Sequence, residues 1–199
     1  MKTNFYYNHY NFEEDKKYLI FFRGCFACPT AGHFSLVDMY ADLPNVTYYI
    51  SQIGSESRHG VTYELNRKIW KIYIQKLLDP SKIILKKAYG MEDVLDEIEG
   101  IDVVIFLRGN EEEVLTNREK EIDRLRKYKS LLKTIQKKGI QTDFLIVDRP
   151  EKNTLSASKF VEAILRGDSS RRLKFFLPPK LEDRDAKYII RKLREQNLK

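Results

Sequence analysis

The chain has 199 residues, of which 42% are hydrophobic and 12% aromatic, enough to bury one compact core with additions around it. No apolar run approaches the ~18 residues of a membrane span, so a membrane-spanning helix is not expected. The formal charge is +7, yet residues 171 to 199 alone hold ten Lys/Arg against four Asp/Glu, which leaves the rest close to neutral.

Taken in chain order, the opening "MKTNFYYNHYNFEEDKKY" lacks the apolar core of a secretory signal and carries acids that an import peptide avoids. A cytoplasmic setting with both cysteines reduced is the expectation. Residues 1–16 read as an extension. From there, apolar runs alternate with amphipathic ones. Strands are predicted over 17–23, 45–51, 81–88, 101–108 and 142–148, and helices over 31–43, 62–78, 91–99, within 111–138 and over 157–167. This alternation predicts an α/β fold over 17–168, a Rossmann-like three-layer sandwich around a parallel five-stranded sheet. Residues 169–199 read as a basic C-terminal helical appendage, in which Pro178 and Pro179 separate a short helix from the last one.

The stretch 111–138 would be about 42 Å long if wholly helical, more than a crossover helix in a small domain needs. Its apolar positions Leu115, Ile122, Leu125, Leu132 and Ile135 form a narrow stripe that could pair with a second copy as a homo-oligomer contact. A long helix packed on its own sheet edge with a solvated charged face accounts for the same pattern.

Between the first strand and first helix lies "RGCFACPTAGHF", residues 23 to 34. Cys25 and Cys28 have the C-x-x-C spacing of a thioredoxin-like redox pair, where a helix start lowers a thiol pKa. Zinc would need two further ligands from His9, His33, His59 or acids, at no recognisable spacing. The pair also fits two small, half-buried residues in a tight turn. "PTAGH" in turn reads as a helix entry. Pro29 fixes the chain, Thr30 caps or donates to phosphate, Gly32 lets a ligand approach the backbone, and His33 sits in the first turn. Unpaired amides and the positive end of the helix dipole make such a place receptive to polyphosphate.

A second helix start of this kind follows the last strand. "LSASKFVEAILRGD", residues 155 to 168, puts Ser156, Ser158 and Lys159 there. In a parallel sheet the carboxyl ends of the strands share one rim, so the two starts can face one ligand.

"GCFACPTAGH" resembles the nucleotide-binding motif of the nucleotidylyltransferase superfamily, G-x-F-x-P-x-[HT]-x-G-H, and "LSASKFV" resembles its second signature, I-S-x-[ST]-x-[IV]-R. The resemblance covers about residues 17 to 178. It implies transfer of a nucleoside monophosphate from ATP or CTP, AMP being favoured, onto a phosphorylated small-molecule acceptor, with Mg2+ carried mainly by the triphosphate and pyrophosphate released. It also implies roles. Thr30 and His33 would act on the nucleotide phosphates together with Lys159. Gly24, Phe26, Gly32, Ser156 and Ser158 would line the nucleotide site, joined by Arg108 and Gly109 at the end of the fourth predicted strand. Arg58 would meet the acceptor. In two places the chain departs from the pattern: Val161 stands where the signature has arginine, and Ala27 and Cys28 displace the small polar residue before the proline.

Tyr48, Tyr49, Trp70 and Tyr73 are candidates for an aromatic acceptor wall, or core residues. A nucleic-acid scaffold built on Arg171, Arg172, Lys174, Arg191, Lys192 and Arg194 is the alternative from another class.

Overall fold

A computed structural model describes residues 3–26, 28–53, 59–88, 90, 92–110, 118–148 and 155–198. Six strands form one sheet, β1 (Asn4–Tyr7), β2 (Tyr18–Gly24), β3 (Val46–Ile53), β4 (Ile83–Ala88), β5 (Val103–Asn110) and β6 (Gln141–Asp148). Their order is β1-β6-β5-β2-β3-β4, with every neighbouring pair parallel. The helices are α1 (Ala31–Asp38), α2 (Tyr63–Leu77), α3 (Arg118–Lys137), α4 (Ala157–Leu165), α5 (Ser170–Leu173) and α6 (Asp183–Arg194).

The central strand β2 reads YLIFFRG and is buried on both faces over its first five residues. Such a run has no polar alternation because helices cover both sides of a parallel sheet. One face carries Ile20, Phe22, Tyr48, Ile50, Ile105 and Leu107 under α1, α2, α4 and α6. The other carries Leu19, Phe21, Tyr49, Val104 and Phe106 under α3 and the 3-10 turn Glu92–Glu97. The three layers expected from the alternation are present. The predicted helix over 91–99 is that shorter 3-10 turn.

The sheet has six strands, not five. The sixth is β1, whose four residues pair with β6 from Asn4 opposite Asp143 to Tyr7 opposite Ile146. A stretch this short gives no readable period. Its place is set by a fully buried carboxylate: Asp143 accepts from the Tyr10 hydroxyl at 2.6 Å, from Gln141 Nε2 at 2.7 Å and from Asn4 Nδ2 at 3.2 Å. A buried carboxylate is tolerable only when saturated with donors, and two of these come from the N-terminal residues.

The chain moves outward from β2 through β3 to β4, then returns to the other side of β2 with β5. The switch point therefore lies between the carboxyl ends of β2 and β5, where sheets of this type open a ligand crevice. At the C-terminal end, Leu173, Leu177, Leu181, Ile189, Ile190 and Leu193 share the core that lies under α1 and α4. Of the stripe read in 111–138, Leu132 and Ile135 pack on the sheet. Leu115, Ile122 and Leu125 lie outside the described side chains.

Candidate active site

The turn from β2 into α1 is built on aromatic packing. Phe26 has φ +43° and Cys28 φ +133°, both in the region L-residues avoid, so the surroundings must hold them. Phe26 does this by packing against Phe22, edge-on against Trp70 at 5.4 Å and edge-on against the His33 ring at 5.6 Å. Its ring crosses the end of β2 so closely that a Cβ at Gly24 would stand 3.0 Å from it and press the ring aside by a few tenths of an ångström. The Tyr73 hydroxyl donates to the Pro29 carbonyl at 2.8 Å, fixing the last residue before the cap.

Thr30, fully buried, is the N-cap of α1. Its backbone N–H donates to His33 Nδ1 at 3.2 Å, and its Oγ1 lies 3.1 Å from the same nitrogen. An amide can only donate, so Nδ1 presents its lone pair and the neutral ring carries its proton on Nε2. The cap thereby selects one tautomer and makes the opposite pole of the imidazole a hydrogen-bond donor.

At the α4 start, Ser156 is the N-cap and accepts from Lys159 N–H at 3.2 Å, which leaves its hydroxyl proton available to donate. Ser158 and Lys159 are exposed. Ser158 Oγ lies 3.3 Å from His59 Nε2, so the loop entering α2 reaches the α4 start. That loop is seated on the C-terminal tail: Gly60 has φ +78°, and a Cβ there would overlap the Asn197 carbonyl.

The two helix starts are neighbours. A Cβ on Gly32 would lie 3.6 Å from the Leu155 carbonyl oxygen, which immediately precedes the Ser156 cap. Residues more than a hundred positions apart thus form one rim.

The fold as a whole has known counterparts. The fold matches that of Plasmodium falciparum nicotinic acid mononucleotide adenylyltransferase in complex with APC, with TM-score 0.58, 16% identity, and coverage of 91% of this chain and 98% of that one. The complex of that protein with NaAD gives TM-score 0.58, 17% identity and the same coverage. A Vibrio parahaemolyticus protein provisionally assigned as a nicotinate-nucleotide adenylyltransferase gives 0.55 and 15%, over 90% of this chain and 97% of that one. No family model and no curated protein matches the sequence. The chain shares the fold of these proteins.

Within this fold, Thr30, Gly32, His33, Ser156, Ser158 and Lys159 gather at the abutting helix starts, with Gly24 and Phe26 in the turn before α1. Arg108 and Gly109 are half-buried at the end of β5, opposite Ile146 and Val147 of β6. Strand alternation puts Arg108 on the face of Phe106, away from α1 and α4. Arg58 lies outside the described residues. Val161, where the resembled signature has arginine, is buried in the core and brings no charge to the rim.

Tyr48, Tyr49, Trp70 and Tyr73 are fully buried, so all four are core residues. Trp70 Nε1, Asn66 Oδ1 and Gln52 Oε1 are buried without a hydrogen-bond partner among the described residues, on the β3–α2 side of the turn. Cys25 is exposed, Cys28 buried, and both are free thiols. Burial pushes the Cys28 thiol well up, the reverse of what a redox pair at a helix start requires. Among the described residues no group of three His, Cys, Asp or Glu is placed to hold a metal ion, and no helix is long and apolar enough to cross a membrane.

Sequence reading missed the Tyr73–Pro29 bond and the Ser158–His59 contact. Neither follows a local pattern, since the partners are 44 and 99 residues apart.

Proposed function

We propose that this protein transfers an adenylyl group from ATP onto a phosphorylated small-molecule acceptor, releasing pyrophosphate. The observation that carries this reading is the abutment of Gly32 against the Leu155 carbonyl, which lets one triphosphate meet both helix starts. Amide N–H groups at the two N-termini and the Lys159 ammonium supply the positive potential that such a polyanion needs.

In this reading an ionised oxygen of the acceptor phosphate attacks the α-phosphorus in line. A new P–O bond forms while the bond from the α-phosphorus to the α–β bridging oxygen breaks, and that oxygen leaves with its electron pair as part of pyrophosphate. No protein nucleophile is required, so catalysis rests on positioning and on donors aimed at the developing charge. His33, with its proton on Nε2, donates to the α-phosphoryl oxygens. Thr30 fixes that tautomer. Ser156 and Ser158 donate to the phosphates further along the chain. Magnesium enters with the triphosphate as part of the substrate.

The adenylyl preference and a mononucleotide acceptor are suggested by the named neighbours, whose fold this chain shares. The test is a pyrophosphate-release screen of ATP and CTP, with Mg2+, against nicotinic acid mononucleotide, nicotinamide mononucleotide and phosphopantetheine. Release that needs ATP and one of these acceptors is the expected result. Release with CTP alone would move the base assignment to cytosine, and no release with any pair would overturn the reading.

A further inference from the structure

Two consecutive phenylalanines near the C-terminus are treated differently by the fold. Lys174–Phe176 forms one 3-10 turn, in which successive side chains point about 120° apart. Phe176 turns inward and stacks on Phe160, with ring centroids 4.9 Å apart and planes within 5° of parallel. Phe175 is thereby turned outward, 75% exposed, and no described ring lies against it. It stands on the wall of a cavity of about 1190 Å³ that opens beside α4 and is enclosed by the C-terminal helices. The same wall carries Arg171 and Arg172 of α5 and Lys187 of α6, all exposed. These three form no salt bridge with a described residue. The carboxylates of the lining are already engaged, Asp168 by Arg166 at 3.1 Å and Asp183 by Lys174. A concave surface with such a surplus of cations focuses positive potential.

A bare aromatic ring among unpaired cations narrows the choice of anion. The volume exceeds the roughly 300–1,000 Å³ of sites for single small ligands. An inorganic anion has nothing to lay against Phe175, and a bilayer surface is flat and does not enter a concavity. In a duplex every base inside the helix is already stacked on its neighbours. A single strand brings both complements, evenly spaced phosphates for the cations and bases with free faces for the ring. We infer that this cavity binds single-stranded nucleic acid, with a base stacked on Phe175 and the backbone phosphates held by Arg171, Arg172 and Lys187. The inference stands apart from the nucleotidyl-transfer reading.

Fluorescence anisotropy of the full chain with labelled oligouridylate and oligothymidylate, each about 12 nucleotides long, tests it. Binding of either strand is the expected result, and tighter binding of the uridylate would mark RNA as the occupant. Phe175→Ala should raise the Kd about tenfold, and Phe175→Trp should keep it near the parent value. Arg171→Gln combined with Arg172→Gln should reduce the slope of log affinity against log salt by about 1.4, two phosphate contacts at about 0.7 each. Thermal melts of these variants should match the parent, because the replaced side chains are exposed. No strand binding by the parent, a duplex of the same length bound as tightly, or a Phe175→Ala Kd within about twofold of the parent overturns the inference. So does cosedimentation with phosphatidylserine vesicles that depends on Phe175 in place of strand binding, which would assign the surface to a membrane. Pyrophosphate release should be unchanged in Phe175→Ala, so failure of the transfer reading leaves this one standing, and the converse holds.

Discussion

The two helix starts that meet at the rim are built in opposite ways. The α1 start is buried, its cap residue Thr30 is held by the His33 imidazole, and its turn is held by Phe26, Trp70 and Tyr73. The α4 start is open, with Ser158 and Lys159 exposed and one hydroxyl cap. In the proposed function, the difference divides the work of a polyanion site. One pole is fixed to within a hydrogen bond, while the other offers solvated groups that, in the proposed function, draw the ligand in. Loss of a hydrogen bond that holds the first should disturb chemistry and stability together, and substitutions at the second should mainly alter binding.

The largest expected effect is at His33. His33→Ala removes the donor of the rigid pole and should lower the rate of pyrophosphate release about 10²- to 10³-fold. Because Thr30 N–H loses its acceptor, a stability loss of about 1 kcal/mol in urea unfolding should accompany it. A change in rate no larger than that of Ser158→Ala would erase the distinction between the poles. Next comes Tyr73→Phe, which leaves the buried Pro29 carbonyl unpaired. It should cost about 1–3 kcal/mol in the same unfolding assay, although Tyr73 touches no substrate in the proposed site.

Alkaline pH probes the same buried pole. Burial raises the thiol of Cys28 and the phenols of Tyr48 and Tyr73. In the unfolded chain a thiol ionises near pH 8.5, at about its ordinary value, whereas folded Cys28 keeps its proton. The unfolded state then binds fewer protons, so stability is full below that pH and falls above it. The thiol alone should remove about 1.4 kcal/mol by pH 9.5, with the tyrosines adding to the loss from about pH 10. Unfolding curves for Cys28→Ala should lack the part that begins near pH 8.5.

The smallest stability change is expected at Gly32. A Cβ there meets nothing closer than 3.6 Å, so packing does not demand glycine. Gly32→Ala should leave stability within a few tenths of a kcal/mol or raise it slightly, as helix propensity predicts. Its effect on turnover sharpens the picture, since a methyl group at this point obstructs only a ligand lying on the helix start. Unchanged turnover would place the phosphates elsewhere.

Much of this site was legible because its signals are local. Thr30, Gly32 and His33 lie within four residues, and a cap, a missing side chain and an imidazole one turn later can be read without tertiary knowledge. The same holds for Ser156 and Lys159, a hydroxyl cap and the amide it accepts. Strands β2 to β6 were legible as apolar runs between helical periods. The strand β1 was not, since four residues carry no period and its pairing depends on Asp143. The cationic cavity was visible only as a basic tail, because Lys159, Arg172 and Lys187 converge through the packing of three helices.

The sequence by itself determined the parallel α/β order and the two capped helix starts, because periodicity and capping act over a few residues. Only the tertiary structure decided that these starts touch, that the sheet gains a sixth strand, and that the basic tail closes around a cavity beside them. Those outcomes depend on burial shared between segments far apart in the chain, and local patterns do not encode the distance between them.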